Sequence, residues 1–590
     1  MLLAVVLGAA VVLDAPPPRA EFVFINPSDV FTLDPQRMSY QQDVRMARAL
    51  YETLAVFDPE GRTIPGAADS WTSADGGRRW EFHLRPDGRW SNGDPVVSED
   101  FRRGWMRLLL PDVAGDYTGF LFSVKGGEAF FKWRDQALRD YAALPAAEQT
   151  QAAAEALWRR TQEEFDRTVA IRAPAPDTLV VELEQPVPYW LEACGFPALG
   201  PVHRPTLDRF SRLEPDSGRL VTSPGWLKGG ALVGNGPYQL DHWRYKRSLR
   251  MSRNPHYRAS NAASCATIDA IPIENPATAL LAIESGAADW LPDLLVDYRA
   301  DLVEEARAGR RPDVHAVPSF GTDFFSYNCR PTLPGVPPRP NPFADPRIRR
   351  AFTMAADKAT ITESVTRLRE PVSNVLVPPG TIAGYRSPRG LDFDPAAAAA
   401  LLREAGWEDR DGDGWVENER GEPFPTVDVL YSTGSPRYQD LAMALRGMWQ
   451  RHLGVHVELR PKEGKLYKED LRSGNFMVAR GGWYGDYPDP MTYLESSRTG
   501  DGNNDRGYSN PEFDALLAQA AREPDPAARL EILSRAESIL VDRDLPMLPL
   551  CTYLTITMYH PARVEGITSH PRLEQYLGRV KVKPGAESRP

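Results

Sequence analysis

Arg480 and Asp486 stand six residues apart in FMVARGGWYGDYPDP (Phe476–Pro490), with three glycines and two aromatics between them. A guanidinium and a carboxylate suit the two ends of a zwitterion, because hydrogen bonds to charged groups are the strong ones. Residues an even number apart in a strand share a face. Six steps of about 3.3 Å separate the two Cα atoms by about 20 Å. Arginine's reach shortens the span to roughly 13–15 Å, about four residues of extended chain. That spacing suits tri- to pentapeptides, and Gly481 and Gly482 leave room for a second backbone to lie alongside. The competing roles are a turn cap for Asp486, a surface ion pair for Arg480 and wall packing for Trp483.

A second cluster is acidic. Asp409, Asp411 and Asp413 precede Gly414 in DRDGDGWVE, the spacing of the first half of a calcium-binding EF-hand loop. The twelfth position, where a bidentate acid belongs, is Arg420; Glu417 or Glu419 would have to substitute in a shortened loop. The competing reading is an acidic turn between a helix and a hairpin. Cys194, Cys265, Cys329 and Cys551 are far apart, which fits buried thiols or one long-range disulfide and no zinc site. His452 and His456 are four apart, but Gly454 between them marks a helix end, so they are not expected to share a face. No phosphate-binding glycine loop, HExxH pair or GxSxG elbow is present, and no nucleophile–base pair can be named. Their absence weighs only lightly against an enzyme, since triads assemble from distant residues, and no cofactor is called for.

These groups need a large scaffold. The chain has 590 residues, enough for two to four domains, and 54 prolines, which favour irregular connections over a helical bundle. A net charge of −11 argues against a nucleic-acid footprint. LLAVVLGAAVVL (Leu2–Leu13), followed by DAPPPRA, has the length of a signal's apolar core and lacks the usual basic start. It predicts an exported, periplasmic or extracytoplasmic protein, with tethering through this segment as the alternative to cleavage.

Strands and helices alternate through the chain. EFVFINPSDV opens a strand, and the apolar spacing over Asp43–Asp58 predicts a helix. RWEFHLRPDGRWSNGDPV predicts a hairpin, residues 128–168 a helical insertion, and DTLVVELEQPVPYW a strand. GNGPYQLDHWRYKRSLRMSRNPHY reads as a turn and hairpin, and TALLAIESGAADW as a helix. Asp345 and Pro346 predict an N-cap and first helical position after a proline-rich connector. Further on, QDLAMALRGMWQRHLG is a helix ended by Gly454, VHVELRP a strand, and LPLCTYLTITMY a late strand. The pattern is α/β with mixed sheets.

Several stretches then resemble one family in order: LDPQRMSYQQDVRMARALYETLAVFDPEG, PGAADSWTSADGGRRWEFHLRPDGRWSNGDPVVSEDFRRGW, GNGPYQL, RNPHY, DPRIRRAFTMAADKATI and ARGGWYGDYPDP. They are similar to the oligopeptide- and dipeptide-binding receptors of bacterial ABC importers, from about residue 24 to 570. The resemblance implies a two-lobed, three-domain clamp with a hinge. Residues 21–48, 188–274 and 553–590 would form the first lobe, 49–187 an inserted domain and 275–552 the second lobe, with 1–20 a signal-like segment. It implies that Asp486 pairs with a peptide's α-ammonium and Arg480 with its carboxylate. Gly482, Trp483 and Tyr484 would offer backbone groups, and Asp29, Val30 and Phe31 would line the facing edge. The implied partners are short peptides and a membrane-embedded ABC permease with its ATPase subunits, and the receptor is expected to be a monomer. Relatives of this fold also take sugars, nickel chelates and opines, and a peptidase on the same scaffold is the reading from another class.

Overall fold

Val314–Tyr327 and Met547–Tyr559, at 14 and 13 residues, are long because each strand serves two bodies. They pair antiparallel in the middle of a ten-stranded mixed sheet. On one side lie Trp290–Leu291, Phe22–Asn26, Thr267–Pro272, Ser248–Arg253 and Tyr238–Arg244; on the other lie Val478–Tyr484, Val427–Ser432 and Val457–Lys462. The computed structural model describes residues 18–258, 265–294, 299–572 and 575–583. The apolar run Leu2–Leu13 lies outside the described residues. Among those described, no helix is long and apolar enough to cross a membrane.

The register of the two central strands breaks in the middle. Val314–Pro318 pair with Leu554–Met558, and pairing resumes at Thr322 with Thr552. Residues 319–321 therefore face Tyr553 alone. Such a bulge bends a strand and sharpens its twist, and it falls where the sheet passes from one body to the next.

Each body has its own apolar core. Phe22, Phe24, Met46, Leu50, Trp226, Tyr238, Met251 and Trp290 centre the first. Trp90, Phe101, Trp105, Phe165 and Val181 fill the inserted domain around the antiparallel sheet Ala68–Ala74, Arg79–Leu84, Thr178–Glu182 and Ile171–Ala175. The second lobe is built around Phe325, Phe352, Leu445 and Trp449, with a further cluster at Phe320, Phe324, Tyr493 and Phe513. The helix Pro276–Glu284 and the 290–291 strand pack with Val23, Ile25, Ile556 and Met558. Residues read from the sequence as the start of the second lobe thus share a core with strands of the first.

Local signals act as the physics requires. Asp345 accepts a hydrogen bond from Arg347 N (2.8 Å) and starts the helix Pro346–Met354. Pro436–Leu453 ends at Gly454, whose φ of +63° is the left-handed cap. His452 then packs against Phe393 and His456 against Trp415, so the two imidazoles part. The insertion forms two helices, Gly127–Ala142 and Gln151–Thr168. The helix expected over 43–58 spans Gln41–Leu50, and Ala55–Phe57 is a strand paired with Thr63–Pro65. Long-range bonds take over the backbone there: Leu50 O accepts from Gly236 N (2.9 Å) and Glu52 N donates to Asn235 Oδ1 (3.0 Å). A Cβ at Gly236 would lie 2.5 Å from Ala49 O, which explains the glycines of GNGPY. Of the hairpin expected over 79–96 only Arg79–Leu84 is a strand; Arg89 and Pro95 form an isolated bridge, and Pro95 has no N–H to extend it.

Candidate functional site

Val478–Tyr484 pairs antiparallel with the central 314–327 strand, Gly482 opposite Asp323 and Arg480 opposite Phe325. Strand alternation puts Arg480, Gly482 and Tyr484 on one face. All three meet Tyr553, the residue facing the bulge. Arg480 Nη2 donates to its hydroxyl at 2.6 Å, and the Tyr484 ring stacks on it at 4.8 Å. A Cβ at Gly482 would lie 2.1 Å from the same hydroxyl. The glycine thus makes room for this protein's own tyrosine. Gly482→Ala is expected to lower stability by about 1–3 kcal/mol through overpacking, and Tyr553→Phe to recover part of it; chemical unfolding of the two variants checks this.

Trp483 points to the opposite face and packs on the Phe320–Phe324 cluster, with its indole N–H buried and unpartnered. Gly481 lies on the same face, where a Cβ would meet the Phe324 ring at 2.5 Å. Trp483 is a wall residue, as the competing reading of the sequence had it.

Arg480 is not a free cation. Nη2 donates to Asp323 Oδ1 (3.0 Å), and the guanidinium lies 3.8 Å from the Tyr438 ring centre. Asp323 is fully buried and also accepts from Arg437 Nη2 (3.1 Å), which reaches on to Glu370 (2.6 Å). Burial opposes the charge of Arg480, but Asp323 together with Tyr553, Tyr438 and Tyr467 outweighs it and the pKa is raised. The charge of Arg480 is thus already met inside the lobe. The span between the two charges is corrected. The strand ends at Tyr484, and Asp486 lies in the turn beyond it.

Two aspartates follow in that turn, and they differ. Asp489 is buried, accepts from Met491 N (2.9 Å) and is bound by Arg529 (2.9 Å). Asp486 uses its backbone N–H on Thr492 Oγ1 (3.0 Å), while its carboxylate accepts no hydrogen bond among the described residues. Asp486 is exposed, yet the protein around it raises its pKa by desolvation, and no cation offsets the rise. The turn-capping role belongs to Asp489, and Asp486 is left as an uncompensated carboxylate. Tyr117 of the inserted domain lies within its electrostatic range. Tyr487, next in sequence, stacks on Tyr189 at 3.9 Å.

On the facing lobe, Asp29 is tied to the hairpin of strands Tyr238–Arg244 and Ser248–Arg253, accepting from Trp243 Nε1 (3.3 Å) and from Lys246 N. The N–H of Val30 goes to Asp29 Oδ1 (2.8 Å) and that of Phe31 to Asp43 Oδ1 (2.9 Å). Val30 is buried, whereas the Phe31 ring is 66 % exposed and packs on Tyr40, itself exposed. Of this segment, the Phe31 side chain faces outward.

Asp409, Asp411 and Asp413 do converge, within 4.8 Å of one another on the surface. Their carboxylates accept from Gly412 N, Gly414 N, Asp413 N and Trp415 N, the bonding of an acidic turn. The four cysteines are free thiols; all but Cys329 are buried. Sequence reasoning missed Asp323, Arg437, Tyr553, Tyr117 and Tyr189. A charged residue inside the apolar strand VHAVPSFGTDFFSY was the signal for Asp323.

The family model of bacterial extracellular solute-binding proteins, family 5 (middle), matches residues 62–505. The probable deoxycholate-binding periplasmic protein YgiS of Escherichia coli K12 is 27 % identical over 553 residues, covering 92 % of this chain and 90 % of that protein. The oligopeptide-binding protein OppA of Bacillus subtilis is 27 % identical over 560 residues, covering 94 % and 91 %. Among solved structures, the murein tripeptide-binding protein MppA in its unliganded open form superposes with a TM-score of 0.78 at 25 % identity, over 96 % of this chain and 98 % of that one. Haemophilus influenzae OppA in complex with RPPGFSPFR gives 0.63 at 24 %, over 96 % and 99 %.

Proposed function

Because the chain belongs to the bacterial extracellular solute-binding proteins of family 5, we propose that it captures short peptides between its lobes and delivers them to an ABC permease and its ATPase subunits. It works outside the cytoplasmic membrane, as a single chain, by binding and not by turnover. Asp486 carries this reading: a carboxylate at the cleft with no counter-charge of its own suits a ligand's ammonium. The name of the OppA relative supports the same ligand class. Ligand contacts from both lobes would draw them together, with the bend at the 319–321 bulge, where the two long central strands lose register. Arg480 then serves the ligand strand as a fixed internal charge.

The deoxycholate-binding relative favours a second reading, a bile-acid-like solute. Asp486 argues against it, since a steroid carboxylate would meet an uncompensated negative charge. Titration calorimetry with tri-, tetra- and penta-alanine, their N-acetylated forms and deoxycholate separates the two. Free peptides are expected to bind, and N-acetylation to weaken them at least about tenfold, the loss of one charge-assisted hydrogen bond. Equal affinity of acetylated and free peptides would remove the ammonium role of Asp486. Deoxycholate binding with indifference to peptides would establish the second reading.

A further inference from the structure

A peptide held by its ammonium at Asp486 still carries a carboxylate, and Arg480 is already neutralised by Asp323. We propose that Arg45, with Asn26 beside it, is the subsite for that carboxylate; the inference rests on the peptide-receptor reading above.

Arg45 lies on the helix Gln41–Leu50 and donates from Nη1 to Asn26 Oδ1 at 2.7 Å. It forms no ion pair among the described residues. Its Nε is buried without a partner, and so is Nδ2 of Asn26. Two adjacent donors are therefore unmet, and a carboxylate supplies two acceptors in one plane. The guanidinium lies 5.2 Å from the Trp290 ring centre and 5.9 Å from that of Phe24, which restrains it in place. Burial lowers its pKa to about 10, so it stays charged at neutral pH.

The position is that of a ligand site. Asn26 ends the 22–26 strand, which pairs parallel with both 267–272 and 290–291. The carboxyl ends of parallel strands are where open α/β sheets place ligands. Asp293, just past Leu291, acts electrostatically on both Arg45 and Tyr484, which lies on the 478–484 strand of the other lobe. Among the described residues Asp293 is the acid acting on Arg45, and Arg299 acts on Asp293 more strongly than Arg45 does.

The experiment is calorimetry with alanine peptides of three to five residues, each as free acid and as C-terminal amide, on the wild type, Arg45→Gln and Arg480→Gln. The wild type is expected to prefer the acid about tenfold or more. Arg45→Gln is expected to bind acid and amide alike, while Arg480→Gln keeps the preference. A preference retained in Arg45→Gln, or absent in the wild type, overturns the assignment and leaves the peptide reading standing. A wild type that binds no peptide overturns both. Thermal melting controls for folding. If Arg45→Gln melts early, Arg45→Lys serves instead: it keeps the charge and loses the planar fork, so the acid-to-amide ratio is expected to shrink. An unchanged ratio counts against the subsite.

Discussion

Asp486→Asn is expected to weaken peptide binding about 30-fold or more, the cost of removing one member of a desolvated charge pair. The substitution leaves size and shape alone. Asp486 accepts no hydrogen bond from its own turn, so the fold should not notice the change. Calorimetry should therefore report lost affinity with an unshifted melting curve. An N-acetylated peptide has no ammonium to lose, and its weak binding should be the same in wild type and variant. The pH dependence follows from the raised pKa. The ammonium needs the ionised carboxylate, and in the empty receptor that form becomes scarce sooner on acidification than for an ordinary aspartate. Affinity should fall as pH drops through the raised pKa, and the fall should vanish in Asp486→Asn. On the alkaline side it should fall again as the ligand's α-amino group, with a pKa of about 8, loses its proton. A variant that binds free and acetylated peptides as the wild type does would place the ammonium elsewhere.

Asp486 could be singled out from the sequence because the turn around it is local. GDYPDP carries the glycine and prolines that favour a bend, and the family resemblance marked the acid within it. The physical difference between Asp486 and Asp489 was not visible there, since Arg529 reaches Asp489 from 40 residues away. The partner of Arg480 was not visible for the same reason at larger scale: Asp323 is 157 residues distant and arrives through strand pairing. Parity along a strand says which side a residue faces and nothing of what already stands on that side. The glycines show the same limit. Gly482 was legible as a place of close approach, but the approaching group is Tyr553, brought there by a bulge that no local pattern encodes. The helix cap at Asp345 and the helix stop at Gly454 were legible because caps are set by one or two residues. Where Leu50 ends its helix, the deciding bonds come from Asn235 and Gly236, and the 3.6-residue spacing carries on past the true end.

Asp323→Asn is expected to be the most destabilising single change near the cleft. The residue is fully buried and holds two guanidiniums, Arg480 at 3.0 Å and Arg437 at 3.1 Å, in a chain that continues to Glu370. Removing its charge leaves two buried cations with one carboxylate between them. Breaking a buried ion pair from one side costs about 3–5 kcal/mol, because the partner's charge stays behind in a medium that solvates it poorly. The loss should appear in the unfolding transition of the second lobe, followed by urea denaturation. The chain has several domains, so a single melting temperature would not isolate it. The compensating experiment gives the stronger test. Asp323→Asn combined with Arg480→Gln removes one charge of each sign and returns the site to the Arg437–Glu370 pair alone. The double variant should be more stable than Asp323→Asn, a coupling readable as a double-mutant cycle. Arg480→Gln by itself leaves Asp323 paired with Arg437 and should cost less. If Arg480 instead served mainly to hold a ligand, its removal would leave unfolding unchanged and would not rescue Asp323→Asn.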